Sequence, residues 1–140
     1  MAELKKYIQQ VENFQTTFKL KVNNAPTVEV DDVLIELRHR LMHEENEEYL
    51  EACKNKDLTE VADALGDKLY ILLGTIITHG MQHVIEDVFN EIHSSNMSKL
   101  DENGKPIYRE DGKIMKSNKY FKPDINAILG QHLKQEKIPV

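Results

Sequence analysis

Two acidic runs close together constrain this 140-residue chain more than any other feature: Glu44-Glu45-Asn46-Glu47-Glu48, then Glu60, Asp63 and Asp67 within EVADALGD. On a helix, Glu44 and Glu48 stand one turn apart and Glu45 and Glu48 three residues apart. Glu60, Asp63 and Asp67 fall at i, i+3 and i+7, again on one face. Both runs lie inside helical apolar periodicity. One helix is predicted to start near Asp31 or Asp32, either of which can cap it. It runs to about Lys54 on a stripe of Leu34, Leu37, Leu41 and then Leu50 or Cys53. Glu45 and Glu48 continue that register into the core side. The next helix follows Asp57, an N-cap with Glu60 three residues on, and stops at Gly80. One of its faces carries Leu58, Ala62, Leu65, Leu69, Leu72 and Ile76. The short connection of Asn55, Lys56 and Asp57 makes the two helices antiparallel neighbours. The carboxylates then face each other across the pair, and Asp63 and Asp67, beside the Ala62/Leu65/Leu69 stripe, are expected to be partly enclosed.

Carboxylates packed this closely repel one another and are costly to bury. A cation among them removes both costs. All-oxygen ligation selects hard ions such as Mg²⁺, Mn²⁺ or Ca²⁺, and no EF-hand loop is present. A solvated acidic face is the alternative, and it is the better reading for Glu47 and Glu51. Glu60 has a competing role as a capping residue.

The rest of the chain fits one all-α domain spanning 1–140, with four to five helices. Leu4 to Phe18 places Leu4, Ile8, Val11, Phe14 or Gln15, and Phe18 at helical spacing, and Asn23, Asn24 and Pro26 break it. The segment YILLGTII is apolar nearly all round, which predicts burial on several sides and packing against another subunit. Val84 to about Met97 reads as an amphipathic helix on Val84, Val88, Ile92 and Ser95. Asn103-Gly104 and Asp111-Gly112 are turn dipeptides, and Ile107-Tyr108 faces Ile114-Met115 in a short hairpin. Pro123 and Asp124 open a last helix, Ile125 to Leu133, and a polar tail beyond it is expected to fray. The net charge of −6 argues against a nucleic-acid polymer as partner. With a single cysteine, Cys53, no intrachain disulfide forms, which fits a reducing cytoplasm. Met1 to Leu20 is too polar for a signal peptide or anchor, and the longest apolar stretch, Leu69 to Thr78, is too short to span a bilayer.

The pattern EExxE at Glu44–Glu48 followed by ExxD at Glu60–Asp63 resembles the signature of the all-α nucleotide pyrophosphohydrolases: the MazG-like, dimeric dUTPase and phosphoribosyl-ATP pyrophosphohydrolase group. RHRLMHEE before it and LGDKLYILLGT after it also resemble that group, and the resemblance covers roughly residues 30–100. It implies a MazG-like bundle completed by oligomerisation as a homodimer or homotetramer. It further implies Mg²⁺, with Mn²⁺ as an alternative, held by Glu45, Glu48, Glu60 and Asp63, and cleavage of a nucleoside triphosphate to the monophosphate and pyrophosphate. Glu44 or Glu45 is the candidate acceptor of the attacking water's proton, and Asp67 falls on the substrate side. Asn96 and Lys99 match an Asn and Lys that end the following helix in related enzymes, so sugar or phosphate contacts are implied for them.

A triphosphate also needs cations. Residues 99–122 are locally basic, and Lys116, Tyr120 and Lys122 stand out within KSNKYFKPD. For Lys105, Lys113 and Lys119 a solvated surface charge is the better reading; for Lys99 and Lys116 the two readings balance. Arg38 is a candidate for pairing with the acidic cluster or for substrate, with a surface ion pair as the plain alternative. Tyr70 and Phe14 read as core residues, with the lining of a base pocket as their alternative. His39 and His43 give only half a di-iron motif with Glu36, His79 and His83 straddle Gly80, and Cys53 reads as a small apolar residue. No Walker A loop or GxGxxG is present. Two rivals to the triphosphate reading remain: a phosphoribosyl-ATP pyrophosphohydrolase, and a non-catalytic helical module that binds metal or a partner.

Overall fold

The computed structural model describes residues 2–137, with side chains from residue 3 to residue 133. The fold is all-α with one small hairpin: α1 (Ala2–Thr17), α2 (Asp32–Lys54), α3 (Leu58–Thr78), α4 (Ile85–Met97), β1 (Ile107–Tyr108), β2 (Ile114–Met115) and α5 (Ile125–Lys137). The last helix extends past the expected end at Leu133. Of the tail beyond Leu133 that was expected to fray, residues 134–137 belong to α5, and residues 138–140 lie outside those described. No described helix is long and apolar enough to cross a membrane. The chain divides into two compact units, Met1–His83 and Val84–Val140.

In the first unit α2 packs along α3, and α1 packs on α3. Three of its helices end in the same way. The N–H of the residue two past the C-cap reaches back five residues: Leu20 to Gln15 (2.7 Å), Asp57 to Ala52 (3.0 Å) and Met81 to Ile76 (2.9 Å). This is the Schellman arrangement, which needs a left-handed residue just after the cap. Gly80 supplies it after α3 at φ 66°, while Lys19 and Lys56 supply it after α1 and α2 at φ 60° and 54°. Gly80 is further required because a Cβ there would lie 2.0 Å from the Ala25 carbonyl oxygen. That contact belongs to a clasp. Asn23 and Thr27 donate backbone N–H groups to Ile77 and His79 carbonyls, and Gln82 Nε2 donates to the Asn23 carbonyl. The expected cap at Asp57 is present, its carboxylate accepting from Glu60 N–H at 3.1 Å. Asp31 precedes α2 without a side-chain cap bond.

Burial corrects several of the expected faces. On α1 the choice between Phe14 and Gln15 falls on Gln15, only 2% exposed. On α2 the stripe continues through Ala52, buried, whereas Leu50 and Cys53 are exposed. On α3 the stripe of Leu58, Ala62, Leu65, Leu69 and Leu72 is exposed, Leu58 to 82%. The buried α3 residues are Ala64, Leu73, Gly74, Ile77 and Thr78. Asp63 and Asp67 are also exposed, against the expected enclosure; two residues from Leu65 and Leu69 respectively, they lie on the opposite side of α3 from that stripe rather than beside it.

In the second unit α4 packs against α5. Ser95, buried, donates to the Phe121 carbonyl at 2.8 Å, and Asp124 accepts from Ala127 N–H at 3.1 Å at the start of α5. The hairpin has the expected register, Ile107 opposite Met115 and Tyr108 opposite Ile114. It turns through Gly112 at φ 87°.

Candidate active site

Pairing α2 with α3 brings the two acidic runs together. Glu45 is half-buried, and its carboxyl is raised to about 7. Desolvation is the largest cause, followed by a hydrogen bond with Glu48 and the charges of Glu48, Asp67 and Asp63. One oxygen, Glu45 Oε2, is buried without a hydrogen-bond partner. Such an acceptor is costly unless a donor or cation meets it. Glu48, Glu60 and Asp63 line an open cavity of about 450 Å³ at the α2–α3 turn, together with Glu51, Asn55 and Asp57. Glu51 is exposed, as expected of a solvated face, and it joins this lining three residues from Glu48. Glu44 is exposed. Among the described residues no three acidic, His or Cys side chains already close on one point.

Arg38 was expected to meet the acidic cluster, the substrate or a surface partner. The structure overturns the surface reading and, among the described residues, shows no pairing with the cluster. Arg38 is 8% exposed, its Nε donates to Thr75 Oγ1 at 3.0 Å and its Nη2 to the Ile71 carbonyl at 2.7 Å. Desolvation lowers its pKa. Phe14 and Tyr70 are not core residues either: they are 37% and 42% exposed, with ring centroids 5.5 Å apart. Lys68 Nζ bridges the two site helices by donating to Asn46 Oδ1 at 2.8 Å.

The other expected substrate residues lie in the second unit. Asn96 is exposed near the end of α4, and its carbonyl accepts from Lys99 N–H at 3.2 Å. Lys116 Nζ stands 4.6 Å from the centre of the Tyr120 ring, a cation–π pair. Lys116 and Lys119 border a second open cavity of about 450 Å³ with Asp101, Glu102 and Asn103. Lys105, Lys113 and Lys119 are exposed, in line with their reading as surface charges. His39 and His43 stack on the surface of α2, and His79 Nδ1 lies 2.9 Å from the Thr27 carbonyl oxygen.

A family model for phosphoribosyl-ATP pyrophosphohydrolase matches residues 11–96. No curated protein matches the chain. Among solved structures the fold is similar to that of a candidate NTP pyrophosphohydrolase from Exiguobacterium sp. 255-15. The TM-score is 0.51 and the identity 24%, over 93% of this chain and 97% of that one. The helical fold and the family match place the chain in the all-α nucleotide pyrophosphohydrolase superfamily. Within it, the chain belongs to the phosphoribosyl-ATP pyrophosphohydrolase family, hydrolases that act on pyrophosphate bonds. The matched span holds every carboxylate of the site, Arg38 and Asn96; Lys99, Lys116 and Tyr120 lie beyond it.

Proposed function

We propose that the chain is a Mg²⁺-dependent nucleoside triphosphate pyrophosphohydrolase that releases a nucleoside monophosphate and pyrophosphate. The observation that carries this reading is Glu45: a half-buried carboxyl with one orphaned oxygen among Glu48, Asp63 and Asp67. All-oxygen donors of this kind fit Mg²⁺, and Mn²⁺ as a substitute. Glu45, Glu48, Glu60 and Asp63 would hold the ion. When bound, the ion neutralises phosphate oxygens and orients water.

The chain's own groups do the remaining work. Glu44 or Glu45 accepts the water's proton as its oxygen bonds to the α-phosphorus and the α–β anhydride bond breaks. Arg38 and Asp67 bind on the substrate side in the first unit. Asn96, Lys99, Lys116 and Tyr120 are the further residues proposed for sugar and phosphate contacts. The exposed α3 stripe is the surface of a homodimer or of a dimer of dimers, and the setting is cytoplasmic. The family match favours a second reading, phosphoribosyl-ATP as the substrate.

The test is pyrophosphate release with Mg²⁺ across canonical and modified NTPs and dNTPs, with phosphoribosyl-ATP included. Release from a subset of triphosphates supports the proposal, and release from phosphoribosyl-ATP alone selects the second reading. Failure with every compound, in Mg²⁺ and in Mn²⁺, would leave a binding module without chemistry.

A further inference from the structure

A cavity of about 210 Å³ in the first unit is lined from α1, α2 and α3, among others by Phe14, Gln15, Arg38, Leu41, Tyr70 and Ile71. The two polar groups are fixed. Gln15 Nε2 donates to the Lys21 carbonyl at 2.8 Å, which orients the amide and leaves Oε1 as its inward acceptor. Arg38 commits Nε and one Nη2 hydrogen, and its Nη1 group has no hydrogen-bond partner among the described residues. The two tips are neighbours: a Cβ placed on Gly74 would stand 2.4 Å from Gln15 Oε1 and 2.7 Å from Arg38 Nη2. A buried guanidinium whose partners among the described residues are all neutral is an expensive feature for packing alone. It is accounted for if an acceptor enters the cavity.

We propose that this cavity is a nucleobase subsite, and that it selects bases with an N–H beside a carbonyl. Arg38 only donates, so it takes the carbonyl; Gln15 Oε1 only accepts, so it takes the ring N–H. Uracil, thymine and guanine present that edge. Cytosine and adenine present an amino group beside an unprotonated nitrogen, so donor would meet donor and acceptor would meet acceptor. Phe14 and Tyr70 offer partly exposed rings for stacking. The placement suits a nucleotide. Arg38 lies seven residues before Glu45 on α2, and Tyr70 seven after Asp63 on α3, a rise of about 10 Å from the carboxylates along both helices. The inference rests on the proposed function for that orientation, but its test does not depend on turnover.

The test is calorimetric titration of the full chain with UMP against CMP, and GMP against AMP, with Mg²⁺ present. UMP and GMP are expected to bind at least ~10-fold tighter than their amino counterparts, because a mismatched base leaves buried polar groups unpaired. Arg38→Lys and Gly74→Ala should each level that preference. Gly74→Ala presses first on the Gln15 and Arg38 side-chain ends rather than on backbone while raising the helix propensity of α3, so it keeps the test valid should Arg38→Lys fail to fold. Equal binding within each pair, tighter CMP or AMP, no binding of any of the four, or a preference that survives Gly74→Ala would overturn the subsite. Pyrophosphate release without base preference sinks the subsite and leaves the reaction standing. Base preference without release does the reverse.

Discussion

At the scale of single residues the site is governed by one carboxyl. Glu45 holds its proton in the folded chain up to about pH 7, mainly through desolvation and then through Glu48. An unfolded glutamate releases it near ~4.3. Between those values the folded state binds the extra proton, so this group favours folding at low pH. That contribution is lost as the pH rises through about 7. A cation that needs the charged form must displace the proton below that pH. Mg²⁺ affinity is therefore expected to climb from pH 6 to pH 8 and then level off, and titration calorimetry at several pH values reads it directly. A flat profile would remove Glu45 from the ligand set. Neutralising a neighbour separates chemistry from folding. Glu48→Gln or Asp63→Asn should lower turnover by at least ~100-fold, since even the outer partners of metal ligands are worth 10–100-fold. The metal-free melting temperature should hold or rise, because like-charge repulsion is relieved. Wild-type-like turnover in either variant would contradict the site assignment.

Among the elements, the α2–α3 hairpin carries the geometry, and its turn was partly legible in advance. Asp57 reads as a cap from its spacing to Glu60, and it caps. The stop at Gly80 and the Ile107/Ile114 hairpin also follow from local turn chemistry, which needs no knowledge of the rest of the chain. Lys56 was not legible in this way. The left-handed position that ends α2 is filled by a residue that pays a Cβ penalty there, at φ 54°. Lys56→Gly is expected to stabilise the chain by roughly 0.5–1 kcal/mol, the left-handed relief less glycine's backbone entropy. Chemical denaturation should show a higher midpoint at an unchanged slope; a lower midpoint would mean that the Lys56 side chain contributes more than its backbone costs. The site was legible to a similar degree. Spacing alone places Glu45, Glu48, Glu60 and Asp63 on facing helices. It gives no sign that Arg38 and Gln15 meet at Gly74, because that convergence joins three helices and depends on a missing Cβ.

For the whole molecule, periodicity finds an apolar stripe but not what covers it. Leu65 on α3 is two residues from Asp63, about 200° around the helix, so the leucine face and the carboxylate face point in nearly opposite directions. The side toward α1 and α2 holds Gly74, Ile71 and the carboxylates, and the outward side holds Leu58, Leu65, Leu69 and Leu72. An exposed apolar face of this kind is a candidate interface, and the proposed homo-oligomer would cover it with a second copy of the same face under two-fold symmetry. Covering it leaves the carboxylate face of the same helix free. The native chain is accordingly expected to scatter light with the mass of a dimer or tetramer. Leu65→Asp together with Leu69→Asp should reduce that mass to one chain and lower the melting temperature, which mass action makes rise with concentration in the oligomeric native chain but not in a monomeric variant. A wild-type monomer, or a double variant that keeps the native mass, would show that α3 leaves this face to water and that the family's acidic helix pair stands here without a partner copy behind it.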